Sequence, residues 1–517
     1  MKRMKVAMIA MMILAILVVG VYAGGGRETA TRQVKDTMVI ANSAQPVSLD
    51  PTLANDGGSN IVNRLMYDSL VFNRFINGQL TIVPGLAESW DILAPDRYRF
   101  NLRRGVKFHN GDEMKASDVK FSLERAIASA RVGFIVNMID RVEIVNDYQV
   151  IFHLKFPFAP LLSNLAHIGA GIVSERAVRE AGEQFGLGRP VGTGALKFVE
   201  WIPGVSTSFV RNEDYWGHKP AYQRCIVRVI PDANMRLIEV ETGNVDIMLG
   251  LSPSDVAMAN ANPAVNVHRD LSMVHTYIAF NNTRAPFDNP NVRRAISHAL
   301  NKDIIRTNIY HATGELSNGP IPQSVWGSIN NQLPPYEFNL ARARELMAGA
   351  GLANGFETTF TVNAASQTSL DIAEFVQSAL RQLNITVKVE AYEAGTLFER
   401  LAAGEHDMFT LDWTTVTGDA DYGMFPLFHS ANWGTAGNRF RYSNPRTDEL
   451  LTRGRQETNP TTRLQIYAEA QRIIRDDAPW VFVLQNQILA ATAKNVKGFF
   501  QSPLGSAENT YWSVTFE

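Results

Sequence analysis

The chain has 517 residues, 45% of them hydrophobic and 19% charged, a globular balance with apolar material for two to four domains' worth of core. A formal net charge of −2 excludes the broad basic surface that nucleic acid would need, so no nucleic-acid partner is expected. The one cysteine, Cys225, excludes an internal disulfide; it opens the apolar run CIVRVI and reads as a small buried hydrophobe.

At the N-terminus, Lys2, Arg3 and Lys5 precede an uncharged stretch from Val6 to Ala23 that closes on small residues. That order predicts an export signal cleaved near Ala23. An uncleaved anchor is the alternative, because the stretch could just span a bilayer. No cysteine follows it to carry a lipid, which favours a free periplasmic protein over a tethered one. Residues 24–36 are polar and Gly-rich and read as a flexible lead-in.

From Thr37 onward strands and helices mix. TMVIAN and YQVIFHLKF read as strands, and ASDVKFSLERAIAS as a helix capped by Ser117 or Asp118. GLGRPVGTG, residues 186–194, is glycine-rich but lacks the lysine and hydroxyl offsets of a phosphate loop and reads as a turn cluster. In PFDNPNVRRAISHALNKD, Asn289 predicts an N-cap, Pro290 the first helical position, and Val292, Ile296, Ala299 and Leu300 one apolar face. DIAEFVQSALRQL predicts the next helix, Asn384 its left-handed cap, and ITVKVE a strand; TLFERLAA and DMFTLDW repeat the order. Helix and strand alternating over short connections predict an open, mainly parallel α/β sheet, with ligand outside the carboxyl ends of its strands.

The run DWTTVTGDADYGMF, residues 412–425, begins at such an end. Asp419 and Asp421 are too close in sequence for a glycosidase pair drawn from separate elements, and the spacing of a calcium loop is absent. Turn and capping bonds compete with polar ligand contact as the reading of this pair. Trp413, Tyr422, Phe425, Phe428 and Trp433 crowd the same span, as in pockets for small amphipathic ligands, although core packing would serve Phe425 and Phe428 equally. The histidines show no His-x-x-x-His or His-Glu-x-x-His spacing, and no Gly-x-Ser-x-Gly elbow occurs, so neither a metal site nor a cofactor nor a catalytic residue is expected. His109 and His167 read as structural.

Several stretches resemble one family. GLAESWDILAPDRYRFNLRRGVKFHNGDEMKASDVKFSLERA (85–126), PVGTGALKFVEW, NEDYWGHKP, IAFNNTRAPFDNPNVRRAISHALNKDII and the tail RTDELLTRGRQETNPTTRLQIYAEAQRIIRDDAPWVFVLQ are similar, in order, to the periplasmic peptide-binding proteins of ABC importers. The resemblance implies an α/β clamshell of three lobes: a discontinuous lobe I (37–79, 193–284 and 492–517), an extra lobe II (80–192) and lobe III (285–491). It implies closure on the ligand as a shifted open–closed equilibrium, a permease and an ATPase as partners, and a monomeric binding protein without enzymatic activity.

Dipeptide and oligopeptide binders of the family carry an aspartate three residues after the tryptophan of this motif; here that position is Val416. The dipeptide binders' arginine some fifty residues upstream corresponds to Asn363. The form W-T-T-V-T-G-D-A-D-Y followed by PLFHSANW instead looks like the glutathione-binding branch, whose ligand has a displaced ammonium. The resemblance thus implies Asp419 or Asp421 as ammonium partner, Trp413 as a wall, and Thr414, Thr415 and Thr417 as hydroxyl donors. By the same analogy Asn55 and Asp56 line the first-lobe side of the cleft, and Tyr277 and Asn281 lie near the hinge. The expected cargo is a short peptide or a glutathione-like peptide. A nickel chelate, haem, opine or oligosaccharide on the same scaffold is the alternative, and an exported hydrolase the remote one.

Overall fold

The computed structural model describes residues 35–76, 79–434, 437–505, 508–509 and 511–517; the expected export signal and the lead-in up to residue 34 lie outside them. In chain order, β1 (Thr37–Asn42) leads through α1 (Gly57–Met66) to a hairpin of β2 (Val71–Ile76) and β3 (Gln79–Pro84). A separate meander follows: β4 (Ala87–Ala94), β5 (Arg97–Leu102), helix α2 (Ala116–Ala128), β6 (Ile139–Asn146) and β7 (Gln149–Leu154). The chain returns through β8 (Leu196–Ile202), β9 (Ser206–Arg211), β10 (Arg224–Val229) and β11 (Ile247–Leu249) to the long β12 (Val265–Phe280). Beyond lie α3 (Pro290–Ala299), β13 (Glu315–Leu316), β14 (Glu357–Asn363), α4 (Gln367–Leu380), β15 (Thr386–Tyr392), α5 (Ala394–Ala403) and β16 (Met408–Thr414). Three helices, α6 (Ala420–Phe428), α7 (Pro445–Gln456) and α8 (Pro460–Asp477), precede the second long strand, β17 (Trp480–Ala493).

Capping follows the local chemistry. Asn289 accepts from the Asn291 N–H ahead of Pro290, and Asn384 takes the left-handed conformation at φ 58°. Helix α2 differs from expectation: its cap is Lys115, two residues before Ser117 and three before Asp118, and Asp118 accepts from the Lys115 N–H at 2.9 Å from the first turn.

Eleven strands form one sheet in the order β15-β14-β16-β12-β17-β11-β1-β10-β9-β8, with β13 added on β17. The strands β15, β14 and β16 run parallel, as the helix–strand alternation predicts, and β10, β1 and β11 do too. The centre departs from a mainly parallel sheet. β12 carries the chain from lobe I into lobe III and β17 carries it back, so the two run antiparallel, paired from Val265↔Ala493 to Ala279↔Trp480. Register shifts between Leu271 and His275, and again between Thr276 and Tyr277, interrupt the pairing where the sheet passes from one lobe to the other.

Period-two alternation builds the cores. In lobe III, Trp480 and Phe482 of β17 face α6, α7 and α8 with Tyr277 and Phe409, so the second half of β12, expected in lobe I, packs into the lobe III core; Val481 and Val483 face α3 and α4 with Val362 and Met408. Lobe I packs Met38, Ile40, Tyr67, Cys225, Val227 and Ile247 around β1 and β10; burial holds the Cys225 thiol above its ordinary pKa, so it is an inert hydrophobe. Lobe II packs α2 on the four-stranded antiparallel sheet β4-β5-β7-β6 through Phe100, Phe152, Val119 and Leu123. The Arg125–Asp50 contact of 2.5 Å ties α2 to lobe I.

The glycine-rich turn is explained by packing. A Cβ on Gly192 would lie 2.1 Å from the Met66 carbonyl oxygen at the end of α1, so the chain there needs glycine to approach the helix. His109 Nε2 lies 3.0 Å from the Gly194 carbonyl and His167 Nδ1 accepts from the Gly169 N–H, both structural roles; burial lowers their pKa values to about 4 and about 3. Among the described residues no helix is long and apolar enough to cross a membrane.

Candidate ligand-binding site

At the end of β16 the strand pairs His275 with Trp413 and then leaves the sheet, held by the Thr415 N–H to the Met273 carbonyl at 2.9 Å. Gly418, at φ 70°, completes the turn, and a Cβ there would come within 2.1 Å of Leu80 at the tip of the β2–β3 hairpin. The turn therefore carries a contact from another part of the chain directly onto lobe III.

Asp419 caps α6, accepting from the Asp421 N–H at 2.8 Å. Both its oxygens also accept from Arg463, at 2.7 and 2.6 Å, and residue and partner are buried. Burial opposes the Arg463 charge, but Asp419 more than offsets it and holds the guanidinium above its ordinary pKa. Two residues on, Asp421 meets a different arginine: Arg455 Nε and Nη2 donate to its two oxygens at 3.2 and 3.1 Å. Burial raises the Asp421 pKa, partly countered by Arg455.

The two acids differ in what they face. Asp421 and Arg455 line a cavity of about 490 Å³, which Asp419 does not line. One wall comes from lobe III, with Trp413, Tyr422 and Phe425; the facing wall comes from lobe II, with Phe134, Phe156 and Phe158. Trp413 stacks on Tyr422 with centroids 5.6 Å apart, and Phe134 lies 6.1 Å from Tyr422 across the gap. The Arg455 guanidinium sits 3.5 Å from the Phe425 ring centroid and 5.2 Å from that of Phe158, and the Arg455 carbonyl accepts from the Ala159 N–H at 2.8 Å. Arg455 thus touches both walls, and its Nη1 makes no hydrogen bond to the described residues. Such a chamber can stack a flat or apolar group and bind a carboxylate; no residue lining it is a histidine, cysteine or serine.

The other expected contacts fall in different places. Thr415 and Thr417 are fully buried; Thr417 Oγ1 accepts from the Asp419 N–H at 3.4 Å and Thr415 Oγ1 has no partner among the described residues. Thr414 is half-buried at the strand end. Tyr277 is a core residue stacked on Trp480 at 4.0 Å. Asn281 donates to the carbonyls of Gly404 and His406 at 3.1 Å each and accepts from Thr283, which occupies its amide inside lobe III. Asp56 caps α1 through the Ser59 N–H and hydroxyl, and Asn55 is exposed beside it; neither lines a cavity described here. Phe428 is buried against Trp480, and Trp433 donates its indole N–H to the Tyr442 carbonyl.

On the opposite face of β16, Asp412 lines a polar depression of about 270 Å³ with Asn363, Ser366, Ser369, Tyr310 and Asn486. It accepts from Thr276 Oγ1 at 2.5 Å, and crowding by the surrounding protein raises its pKa although its edge is open to solvent. This depression lies at the carboxyl ends of β14 and β16, but none of its lining residues comes from lobe II.

Arg455 and the lobe II aromatics escape sequence reasoning. Arg455 lies four residues after buried Leu451 on the inner face of α7, whereas Arg453 is exposed; helical phase is the signal that separates them. Phe134, Phe156 and Phe158 sit in ordinary apolar runs 255 to 279 residues from Trp413 in sequence, so only the fold brings them opposite it.

Three similarities bear on this arrangement. The chain is 33% identical to the glutathione-binding protein GsiB of Pectobacterium atrosepticum over 90% of this chain and 91% of that one. It is 30% identical to heme-binding protein A of Haemophilus influenzae over 93% and 94% of the two chains. The periplasmic binding protein DppA from Helicobacter pylori, solved in complex with the peptide STSA, superposes with a TM-score of 0.79 at 30% identity, covering 94% of this chain and 98% of that one. Residues 81–435 match the family described as bacterial extracellular solute-binding proteins, family 5 Middle, and with its three-lobed α/β fold the chain belongs to that family.

Proposed function

We propose that the protein is the periplasmic receptor of an ABC importer and that it holds a short peptide or glutathione-like peptide in the cavity between lobes II and III, handing it intact to a permease driven by an ATPase. The observation that carries this reading is the cavity itself. Two aromatic walls from separate lobes face each other across about 490 Å³, with the Arg455–Asp421 pair in the lining. A ligand carboxylate binds the free Nη1 of Arg455; an ammonium shares Asp421; Trp413, Tyr422 and Phe134 stack on the peptide body. Because each wall belongs to a different lobe, ligand binds best when the lobes are together, and β12 and β17 are the strands about which they separate. Asp419, with both oxygens on Arg463, anchors the turn and leaves Asp421 as the acid on the ligand side. The receptor acts as a monomer and makes or breaks no covalent bond.

The test is calorimetry of the folded protein against reduced and oxidised glutathione and a set of di- and tripeptides. Saturable binding in the micromolar range or tighter, lost in Arg455→Gln, supports the reading. Absence of binding below about 1 mM for every peptide overturns it.

A second reading keeps the transport role with a non-peptide cargo. What favours it is that both Asp421 oxygens are already on Arg455, so the cavity holds no carboxylate reserved for an ammonium. A flat anionic cargo such as haem would then use the aromatic walls and Arg455 alone. Haemin competing with glutathione in the same titration, and surviving Asp421→Asn, would select this reading.

A further inference from the structure

A second cavity, of about 240 Å³, shares no lining residue with the first. It lies where the last turns of α1, strand β2, the loop carrying Tyr215 and Trp216, and Trp512 meet. Two arginines reach it, and they are used differently. Arg64 is 7% exposed, pairs with Glu508 and donates to the Ala166 carbonyl at 2.8 Å and to Ser69 Oγ at 3.3 Å, yet its Nε has no partner among the described residues. Arg74 lies with its guanidinium 4.8 Å from the Phe72 ring centroid and 4.7 Å from that of Trp512. Its one hydrogen bond runs to the neighbouring Asn73 carbonyl at 2.9 Å, and it forms no ion pair among the described residues.

Two acids act on Arg74 and both are engaged elsewhere: Glu508 pairs with Arg64, and Asp68 is surrounded by other donors. Asp68 is buried, and its oxygens already accept from Trp216 Nε1 at 2.9 Å, Thr193 Oγ1 at 3.0 Å and Tyr215 OH at 3.3 Å. A guanidinium drawn between two rings with most of its donor fork unused is costly unless an anion accepts from it. The buried, unpartnered Nε of Arg64 on the same cavity is an independent sign that an acceptor is missing.

We propose that this cavity binds a small organic carboxylate with a flat apolar body, the carboxylate taking the free donors of Arg74 and the body lying against Trp216 and Trp512. The volume falls below the roughly 300 Å³ at which pockets for larger ligands begin, so an acid the size of benzoate fits and a peptide does not.

Benzoate titrated into the full chain, followed by tryptophan fluorescence, tests the assignment. Saturable quenching with a Kd in the millimolar range or tighter is expected, with no response to the neutral isostere benzamide. Arg74→Gln should weaken binding by about tenfold or more. Arg74→Lys, which keeps the charge and loses the fork, should fall between, and serves if the glutamine variant melts too low to use. Arg455→Gln should leave in place the saturation that Arg74→Gln removes, which separates this site from the peptide cavity, itself able to take a flat carboxylate, and makes the two proposals fail independently. No saturation by about 20 mM, equal binding of benzamide, or loss of the signal in Arg455→Gln rather than in the Arg74 variants overturns the proposal.

Discussion

Asp419 and Asp421 stand two residues apart, are equally buried, and each lies on an arginine, yet they belong to different regions of the molecule. The Asp419–Arg463 pair is sealed inside lobe III, with side-chain exposures of 7% and 6%, and Arg463 is further fixed by the Gly454 carbonyl at 2.8 Å and the Trp326 ring at 4.5 Å. The Asp421–Arg455 pair has the same acid exposure, but Arg455 is 19% exposed and reaches the lobe II wall. Burial of a charge pair therefore says nothing by itself about binding. What separates the structural pair from the one at the candidate site is whether the cation still has a free donor on a cavity.

The sharpest way to break this distinction is to remove each arginine. Arg463→Ala leaves the Asp419 carboxylate buried without compensation and should cost about 3–5 kcal/mol of stability, read by urea unfolding at pH 7. Ligand affinity of the folded fraction should change by less than about threefold, since a sealed pair makes no ligand contact. A large affinity loss with intact stability would assign Asp419 to the site after all.

Arg455→Gln should do the reverse. Ligand affinity should fall by about 2–4 kcal/mol, roughly 30- to 1000-fold, while stability falls by only about 1–2 kcal/mol because water reaching the cavity can hydrate Asp421. Calorimetry and urea unfolding on the same preparation give both numbers. If the stability loss matched that of Arg463→Ala and affinity held, the two pairs would be alike and the cavity reading of Arg455 would fall.

The interior region holds buried histidines, which the cavity lining lacks. His275, the cross-strand partner of Trp413, and His406 are buried with no hydrogen-bond partner on either ring nitrogen among the described residues, and burial lowers their pKa values to about 3 and about 4 from an ordinary 6.5. Between those values the unfolded chain binds protons that the folded chain refuses. The stability from burying two neutral rings is thus complete above about pH 6.5 and is lost as pH falls, by about 1.4 kcal/mol per pH unit for each histidine. His275→Phe, which keeps the edge contacts with Tyr277 and Trp480, should therefore lose about 1–2 kcal/mol less than the parent between pH 6.5 and pH 5 in urea unfolding. Parallel pH profiles would show that His275 takes up its proton in the folded state.

Much of this fold is legible in the sequence because the decisive signals are local. Asn289 and Pro290 open α3, Asn384 closes the helical segment after α4, and the alternation of Ile385, Val387 and Val389 marks β15, each within a few residues. The motif after Trp413 is legible as a strand end followed by a turn for the same reason. Its division of labour is not. Asp419 and Asp421 differ only in which of two arginines, 44 and 34 residues later, folds back onto them, and no local pattern encodes that choice. Tyr277 and Asn281 mislead in the opposite way: an aromatic and an amide near a lobe junction suit a ligand, but long-range packing on Trp480 and the loop at His406 encloses them. The opposing wall of Phe134, Phe156 and Phe158 carries no sequence cue at all until lobe II is placed.

The smallest effect is the most discriminating for the threonines. Thr415 has a fully buried hydroxyl without a hydrogen-bond partner among the described residues, so Thr415→Val exchanges an unsatisfied oxygen for a methyl of nearly the same shape. Stability should stay level or rise by up to about 1 kcal/mol, and ligand affinity should not move, because a side chain with no exposed surface cannot donate to a ligand in the cavity. A hydroxyl that served the ligand in a closed state would show the opposite signature: unchanged unfolding and affinity reduced by about tenfold. Thermal unfolding and calorimetry together thus decide whether the boundary between the two regions runs between Trp413 and Thr415, as the geometry has it, or further along the turn.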